Sequence, residues 1–507
     1  FHLILIFIFL ILVHSNDSTS SSTGDSSSSD VIDPEIEKQA ESSFGRYYRS
    51  KSNMHKMRRI MRRHRRRFAN GKHKFGRRRD AKKFEERLCN MTRISYGPGG
   101  RNTETAEFAV NEYLYQGDIV LSEDQAESIF NEPISTPVFR GRRQAYISKS
   151  PRWDTTKPIY VEFFNVSSTT TSLIRASLSF WQSQTCVNFV ESKTNTPRLR
   201  FIKASGCWSL VGKSSVVTVQ DISIGAGCET PRTISHEIGH ALGLFHHQAR
   251  PDRDQYVTIV ADNIKSQYLD QYNKQRSSTC NTYGVGYDVG SVMHYKQREF
   301  AKASGLITVL AKGSGYQNSL ASNRWPSFAD VKIVNSHLCS ASCPSNLTCE
   351  NYGYPDPKNC QQCKCPSSFS GRTCGRWHPG NGMNAWKPSC GGEFVAAPTW
   401  TGMNISVGVD SSTVYNDISN CFWVIRAPPG RTLDSWVTRA PSSVCTDACE
   451  AQGLRVTVTT PETTGATYCC GTADPRQLTT ITNILVFELY SFQGISDAWV
   501  FYRLTPQ

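Results

Sequence analysis

Three histidines stand at His236, His240 and His246, with Glu237 directly after the first and Gly243 between the second and third. On a helix, side chains four apart project from one face, so His236 and His240 offer both imidazoles to one point. Glu237 sits one position round, where a carboxylate reaches a water held at that point. Gly243 admits the positive φ that ends a helix and turns the chain back, which brings His246 to the same place. Three neutral nitrogen donors leave the charge of a divalent ion largely intact. That is the condition for acidifying a bound water, and it leaves the open position that a catalytic site requires. A lone histidine is usually a core residue with its polar atoms satisfied; three with a glutamate at this spacing predict one bound Zn2+ and hydrolytic chemistry with Glu237 as the base.

The flanking pattern supplies the elements that must hold this site. Residues Ser172 to Glu191 carry Leu173, Ile174, Leu178, Trp181, Val187 and Val190 mostly at helical spacing, predicting an amphipathic helix packed on a sheet. Arg198-Leu199-Arg200-Phe201-Ile202 alternates as a strand, and Val216 to Val219 reads as another.

The extended motif His-Glu-x-x-His-x-x-Gly-x-x-His is that of the metzincins. Together with Gln248-Ala249-Arg250-Pro251-Asp252-Arg253-Asp254 and Ser291-Val292-Met293-His294-Tyr295, it resembles the astacin family of zinc endopeptidases, from about Gln144 to Cys339. The resemblance implies an α+β peptidase domain of two lobes around a zinc cleft. It places Met293 beneath the metal and makes Tyr295 an extra zinc ligand that swings away to stabilise an oxyanion. It also implies the pairs Cys186–Cys339 and Cys207–Cys228. The Arg and Asp residues at 250–254 are expected to form structural ion pairs. Tyr115-Gln116-Gly117-Asp118 is similar to the Phe-x-Gly-Asp element of astacin pro-segments, in which the aspartate binds zinc and displaces the water; Asp118 is the expected switch. One departure is His247, where the family usually has a glutamate that contacts the mature N-terminus through water. Its side chain is expected to point off the metal face.

The chain has 507 residues, about three domains at ~150 residues each. Its net charge of +14 is local: 18 Lys/Arg and one acid fall between Arg46 and Lys83, leaving the other residues at −3. A basic face for nucleic acid is therefore excluded, and the block is expected to stay extended by self-repulsion. Residues 1–15 read as a secretory signal peptide, since the apolar run is shorter than the ~20 residues a membrane span needs; no membrane span is expected. Eighteen Cys and the sequons at Asn16, Asn90, Asn165, Asn346 and Asn404 fit an oxidising, extracellular location. Residues 16–143 form the expected pro-segment. Arg140-Gly141-Arg142-Arg143 matches the site of a furin-like or tryptic activating protease, so cleavage after Arg143 would start the mature chain at Gln144.

Beyond the peptidase domain (144–339), the six cysteines of 340–375 resemble an EGF-like module, too small to fold without bridges. Residues 390–503 resemble a CUB domain, an all-β sandwich whose partner the sequence does not name. Spacing leaves the pairings in both modules open. Cys280 is the odd cysteine of the mature part, and its expected partner is Cys89 or another chain. Arg324 is expected to border a specificity pocket and favour acidic side chains. Peptidase, EGF-like and CUB in series look like the nematode astacins that act on cuticle or eggshell proteins during moulting or hatching. The alternatives are a narrow protease that trims procollagen-like substrates and a non-catalytic scaffold that binds matrix.

Overall fold

The computed structural model describes residues 34–69, 113–130, 152–277, 280–313, 315–343, 347–381, 390–408, 414–445, 447–471 and 474–506. The expectations for the signal peptide, Asn16, Asn90, Asn346, Cys89 and the Arg143–Gln144 cleavage point lie outside these residues.

The N-terminal segment folds as helices α1 (Pro34–Phe44), α2 (Lys51–Ala69) and α3 (Glu123–Phe130). The expectation of an extended basic block is corrected over Lys51–Ala69. Met54, Met57, Ile60 and Met61 recur at helical spacing between the arginines, and all four are buried. Burying that stripe against Phe44, Tyr47, Tyr113 and Trp208 outweighs the repulsion among the charges, of which Arg59 and Arg63 stay exposed to water.

Strand β1 (Ile119–Val120) of this segment extends the sheet of the following domain. The other strands are β2 (Ile159–Phe164), β3 (Phe189–Glu191), β4 (Arg198–Ile202), β5 (Cys207–Leu210) and β6 (Val219–Ile224), in the order β1-β5-β6-β4-β2-β3. Only the β5–β6 pair is antiparallel; β1 runs parallel to β5 with Ile119 opposite Ser209. Helix α4 (Ser168–Gln184) covers the sheet through Ile174, Leu178 and Trp181. It starts earlier than expected, because the Ser167 hydroxyl accepts from Thr170 N at its N-terminus. It also ends earlier, since Phe189, Val190 and Glu191 pair with β2 as a strand. The expected strand at 216–219 begins only at Val219: the amides of Val216 and Val217 turn back onto the Ser214 hydroxyl.

Helices α5 (Pro231–Ala241) and α6 (Phe328–Leu338) complete the domain, with short 3-10 turns and a two-stranded antiparallel sheet of Val257–Ile259 and Val309–Ala311 between them. Cys186–Cys339 ties the end of α4 to the end of α6, and Cys207–Cys228 ties β5 to the loop before α5. The cysteine-rich stretch closes through Cys343–Cys360, Cys349–Cys363 and Cys365–Cys374.

The C-terminal region is all β. One sheet is centred on Val414–Arg426 and Ile484–Gln493, the other on Leu433–Arg439 and Ser496–Leu504. Ile405, Val437, Leu454, Phe487 and Val500 fill the core between them. Cys390–Cys421, Cys445–Cys470 and Cys449–Cys469 fasten it. No helix among the described residues is long and apolar enough to cross a membrane. Cys280 is buried; its expected partner Cys89 lies outside the described residues.

Candidate metal centre

Helix α5 is set for its task at both ends. Thr230 Oγ1 accepts from Thr233 N at 3.1 Å and Pro231 opens the first turn. At the other end Gly243 has φ +110, so the chain reverses and places the Leu244 carbonyl 2.7 Å from His240 Nδ1. His236 Nδ1 lies 2.7 Å from the Val292 carbonyl, and His246 Nδ1 lies 3.1 Å from Gln116 Oε1. A carbonyl oxygen can only accept, so each Nδ1 carries the hydrogen and each Nε2 presents a bare lone pair. Burial, with His236 adding, holds His240 down to about 4, and burial also lowers His246, so these rings are neutral.

The three Nε2 atoms converge. His246 Nε2 is 3.3 Å from His236 Nε2 and 3.0 Å from Asp118 Oδ2, which is 3.2 Å from His236 Nε2. Asp118 Oδ1 lies 3.6 Å from His240 Nε2. The four ligand atoms fall within 4.8 Å of one another. His240 Nε2 and Asp118 Oδ1 are buried without a hydrogen-bond partner among the described residues. Four electron-pair donors face one point with no hydrogen to share among them. Only a cation satisfies that arrangement, and three imidazoles with a carboxylate are a zinc donor set.

Asp118 reaches the cluster from a tight loop. Tyr115 and Ile119 exchange both backbone hydrogen bonds, while Gln116 (φ +50) and Gly117 (φ +88) take the left-handed turn between them. Asp118 O accepts from Ser209 N on β5. Gln116 was not singled out from sequence, yet it supplies the acceptor for the third imidazole and donates to the Asn273 carbonyl. No signal beyond its place in the Tyr-Gln-Gly-Asp element marks it. The Tyr295 hydroxyl donates to the Gln116 carbonyl at 2.6 Å, so it is engaged by the N-terminal segment. Glu237 is buried, and its Oε2 has no hydrogen-bond partner among the described residues. Burial, with the Asp118 carboxylate adding, pushes it well above the usual carboxylate range.

The floor of the site is the 285–295 loop. A Cβ on Gly239 would stand 2.9 Å from Met293 Sδ, so the glycine admits Met293 against the helix. Asp330 caps α6 through Ser327 and also accepts from Ser291 Oγ at 2.5 Å and Val292 N at 3.1 Å. Arg232 donates to the carbonyls of Val292, His294 and Asn323. Neither role was read from sequence, although Ser327-x-x-Asp330 carries the spacing of a capping box. His247 points off the metal face: its Nε2 accepts from Asp288 N at 3.0 Å and burial keeps it neutral. Arg250–Asp252 and Arg253–Asp254 are ion pairs within the loop. Arg324, expected to border a specificity pocket, stands exposed at the boundary with the C-terminal region. Its guanidinium lies over the Phe492 ring of the C-terminal region, drawn by the π face, while Trp325 stacks on Phe180.

Residues 145–339 match the model of the peptidase family Astacin. Zinc metalloproteinase nas-28 of Caenorhabditis elegans is 33% identical over 406 residues, covering 78% of this chain and 80% of the relative. Zinc metalloproteinase dpy-31 of the same organism is 32% identical over 390 residues, covering 75% of this chain and 64% of the relative. Among solved structures, high choriolytic enzyme 1, a hatching enzyme zinc-protease from Oryzias latipes, is 26% identical with a TM-score of 0.34, covering 38% of this chain and 98% of that one. With its three-imidazole zinc site and its extended similarity to nas-28, the chain belongs to the astacin family of zinc metalloproteinases.

Proposed function

We propose that this protein is secreted as a zymogen and, once cleaved after Arg143, hydrolyses peptide bonds of extracellular proteins of the cuticle, eggshell or matrix. The observation that carries the latent form is Asp118: its carboxylate is aimed at the same point as the Nε2 atoms of His236, His240 and His246. An occupied ligand position leaves no place for the attacking water, so the segment that ends at Arg143 holds the site inert. Eight disulfides among the described residues support an oxidising destination. Asn165 and Asn404 are exposed, as glycan acceptors must be. The three bridges within 343–374 support an EGF-like module, and the two packed sheets after Cys390 support a CUB module.

Zinc, when bound, supplies Lewis-acid polarisation of the water and of the scissile carbonyl. Glu237 takes the proton from the attacking water and hands it to the leaving amine; its buried, unpartnered oxygen beside the three imidazoles suits both halves of that transfer. Tyr295, freed from the Gln116 carbonyl when the segment leaves, donates to the developing oxyanion. Glu237→Gln tests this assignment. Processed E237Q should lose about 10²- to 10⁴-fold in kcat on a fluorogenic peptide while retaining its zinc. Full turnover by the variant would end the hydrolase mechanism.

A further inference from the structure

The C-terminal β region grips the peptidase domain at one buried junction. The strands Gln452–Thr457 and Ala466–Tyr468 form a hairpin whose loop reaches onto the 285–295 floor. At its tip Glu462 is buried: Oε1 accepts from Gly286 N at 3.0 Å, and Oε2 meets Lys332 Nζ of α6 at 2.7 Å. Lys332 also donates to the Tyr352 carbonyl of the cysteine-rich stretch, so one ammonium joins all three parts of the chain. Two residues on, Thr464 N donates to Asp288 Oδ1 at 3.0 Å and Thr464 Oγ1 accepts from Asn323 Nδ2 at 2.9 Å. Ser319 Oγ donates to the Gly465 carbonyl at 2.8 Å. The approach is close enough to need a glycine: a Cβ on Gly290 would lie 2.2 Å from Thr464 Oγ1.

These contacts continue inward without a gap. Asp288 N donates to His247 Nε2, and His247 N donates to the Met293 carbonyl at 2.7 Å. His247 is the neighbour of the third zinc ligand, and Met293 lies against the helix that carries the other two. We propose that the Glu462 carboxylate and the Thr464 backbone amide are positioning groups for the metal centre: the hairpin of the C-terminal region fixes the floor that seats His246 and Met293, so the peptidase domain is incomplete without it. The inference rests on the zinc-site reading above. Its chemistry is a charge-assisted hydrogen bond shielded from water, which is stronger than a neutral one and holds one geometry.

The test uses the full chain with Glu462→Ala, Gly290→Ala and the double variant Gly290→Ala with Thr464→Gly. Zinc affinity is read by competition with a chromophoric chelator, and kcat and KM are read after processing. Outer partners of ligating histidines typically govern affinity by 10- to 100-fold, and this junction lies one step further out. Each single variant should therefore weaken zinc about tenfold and lower kcat with KM held. The double variant, which restores room for the added methyl, should recover most of both. Parental zinc affinity in either single variant overturns the proposal, and so does a double variant that stays as weak as Gly290→Ala alone. If the parent holds zinc yet cleaves nothing, the hydrolase reading fails while the affinity comparison still decides this one.

Discussion

Replacing Asp118 with alanine in an uncleavable chain, with Arg140 and Arg143 also changed to alanine, isolates the proposed latch from processing. Asp118 meets two imidazole nitrogens at 3.0 and 3.2 Å and the third at 3.6 Å. These oxygens and nitrogens share no hydrogen, so what alanine removes is the carboxylate's hold on the ion between them; set at the scale of one hydrogen bond to a charged group, that is about 1.5–3 kcal/mol. At 1.36 kcal/mol per factor of ten, that shifts the closed-to-open ratio by about 10- to 150-fold. The rest of the segment stays anchored: Arg46 pairs with Asp221 at 2.7 Å, Tyr47 Oη accepts from Asp221 N, and Phe44 packs edge-on against Trp208. Hydrolysis of a fluorogenic peptide by the intact D118A chain should thus rise by one to two decades and remain well below that of processed enzyme. A rate unchanged from the uncleavable parent would show that the carboxylate is not the latch. A rate equal to processed enzyme would show that the helices contribute no blockage.

Gly117→Ala forces a Cβ into a left-handed turn, 3.2 Å from the Phe300 ring, and should raise basal hydrolysis of the intact chain severalfold through a loosened loop; unchanged latency would refute that role. Removing Cys186–Cys339 with serines opens a 153-residue separation and should cost about 4–5 kcal/mol, read as a fall in the unfolding free energy from a denaturant titration. Chelating the metal from the intact chain leaves bare Nε2 atoms 3.3 Å apart with nothing between them, so the thermal midpoint should drop and return on adding Zn2+. No shift would mean that the cluster holds no ion in solution.

The three ligands, Glu237 and the helix that bears all but His246 were legible because their chemistry depends on spacing within one short stretch of chain. Asp118 was legible only through a four-residue likeness, and its reach to the histidines depends on a loop that joins the sheet through β1. What stayed hidden was tertiary. The basic block looked extended because its charges dominate the composition, while the four methionine and isoleucine side chains that make it helical matter only once Trp208 and Phe44 are beside them. The seat of Arg324 over Phe492, far along the chain, is likewise invisible to local pattern. Asp330 serves its own helix and the Met293 loop at once, and only the first role leaves a trace in spacing.

Gln116 makes the third histidine a borrower. His236 and His240 take their orienting carbonyls from Val292 and Leu244, which remain with the catalytic domain, whereas His246 takes its own from a stretch upstream of Arg143. On the proposed cleavage after Arg143, loss of this stretch would strip one of three guy-lines from the site and hand its anchoring to solvent. The precursor is then the better-braced cradle for capturing an ion, and the working enzyme the more yielding one.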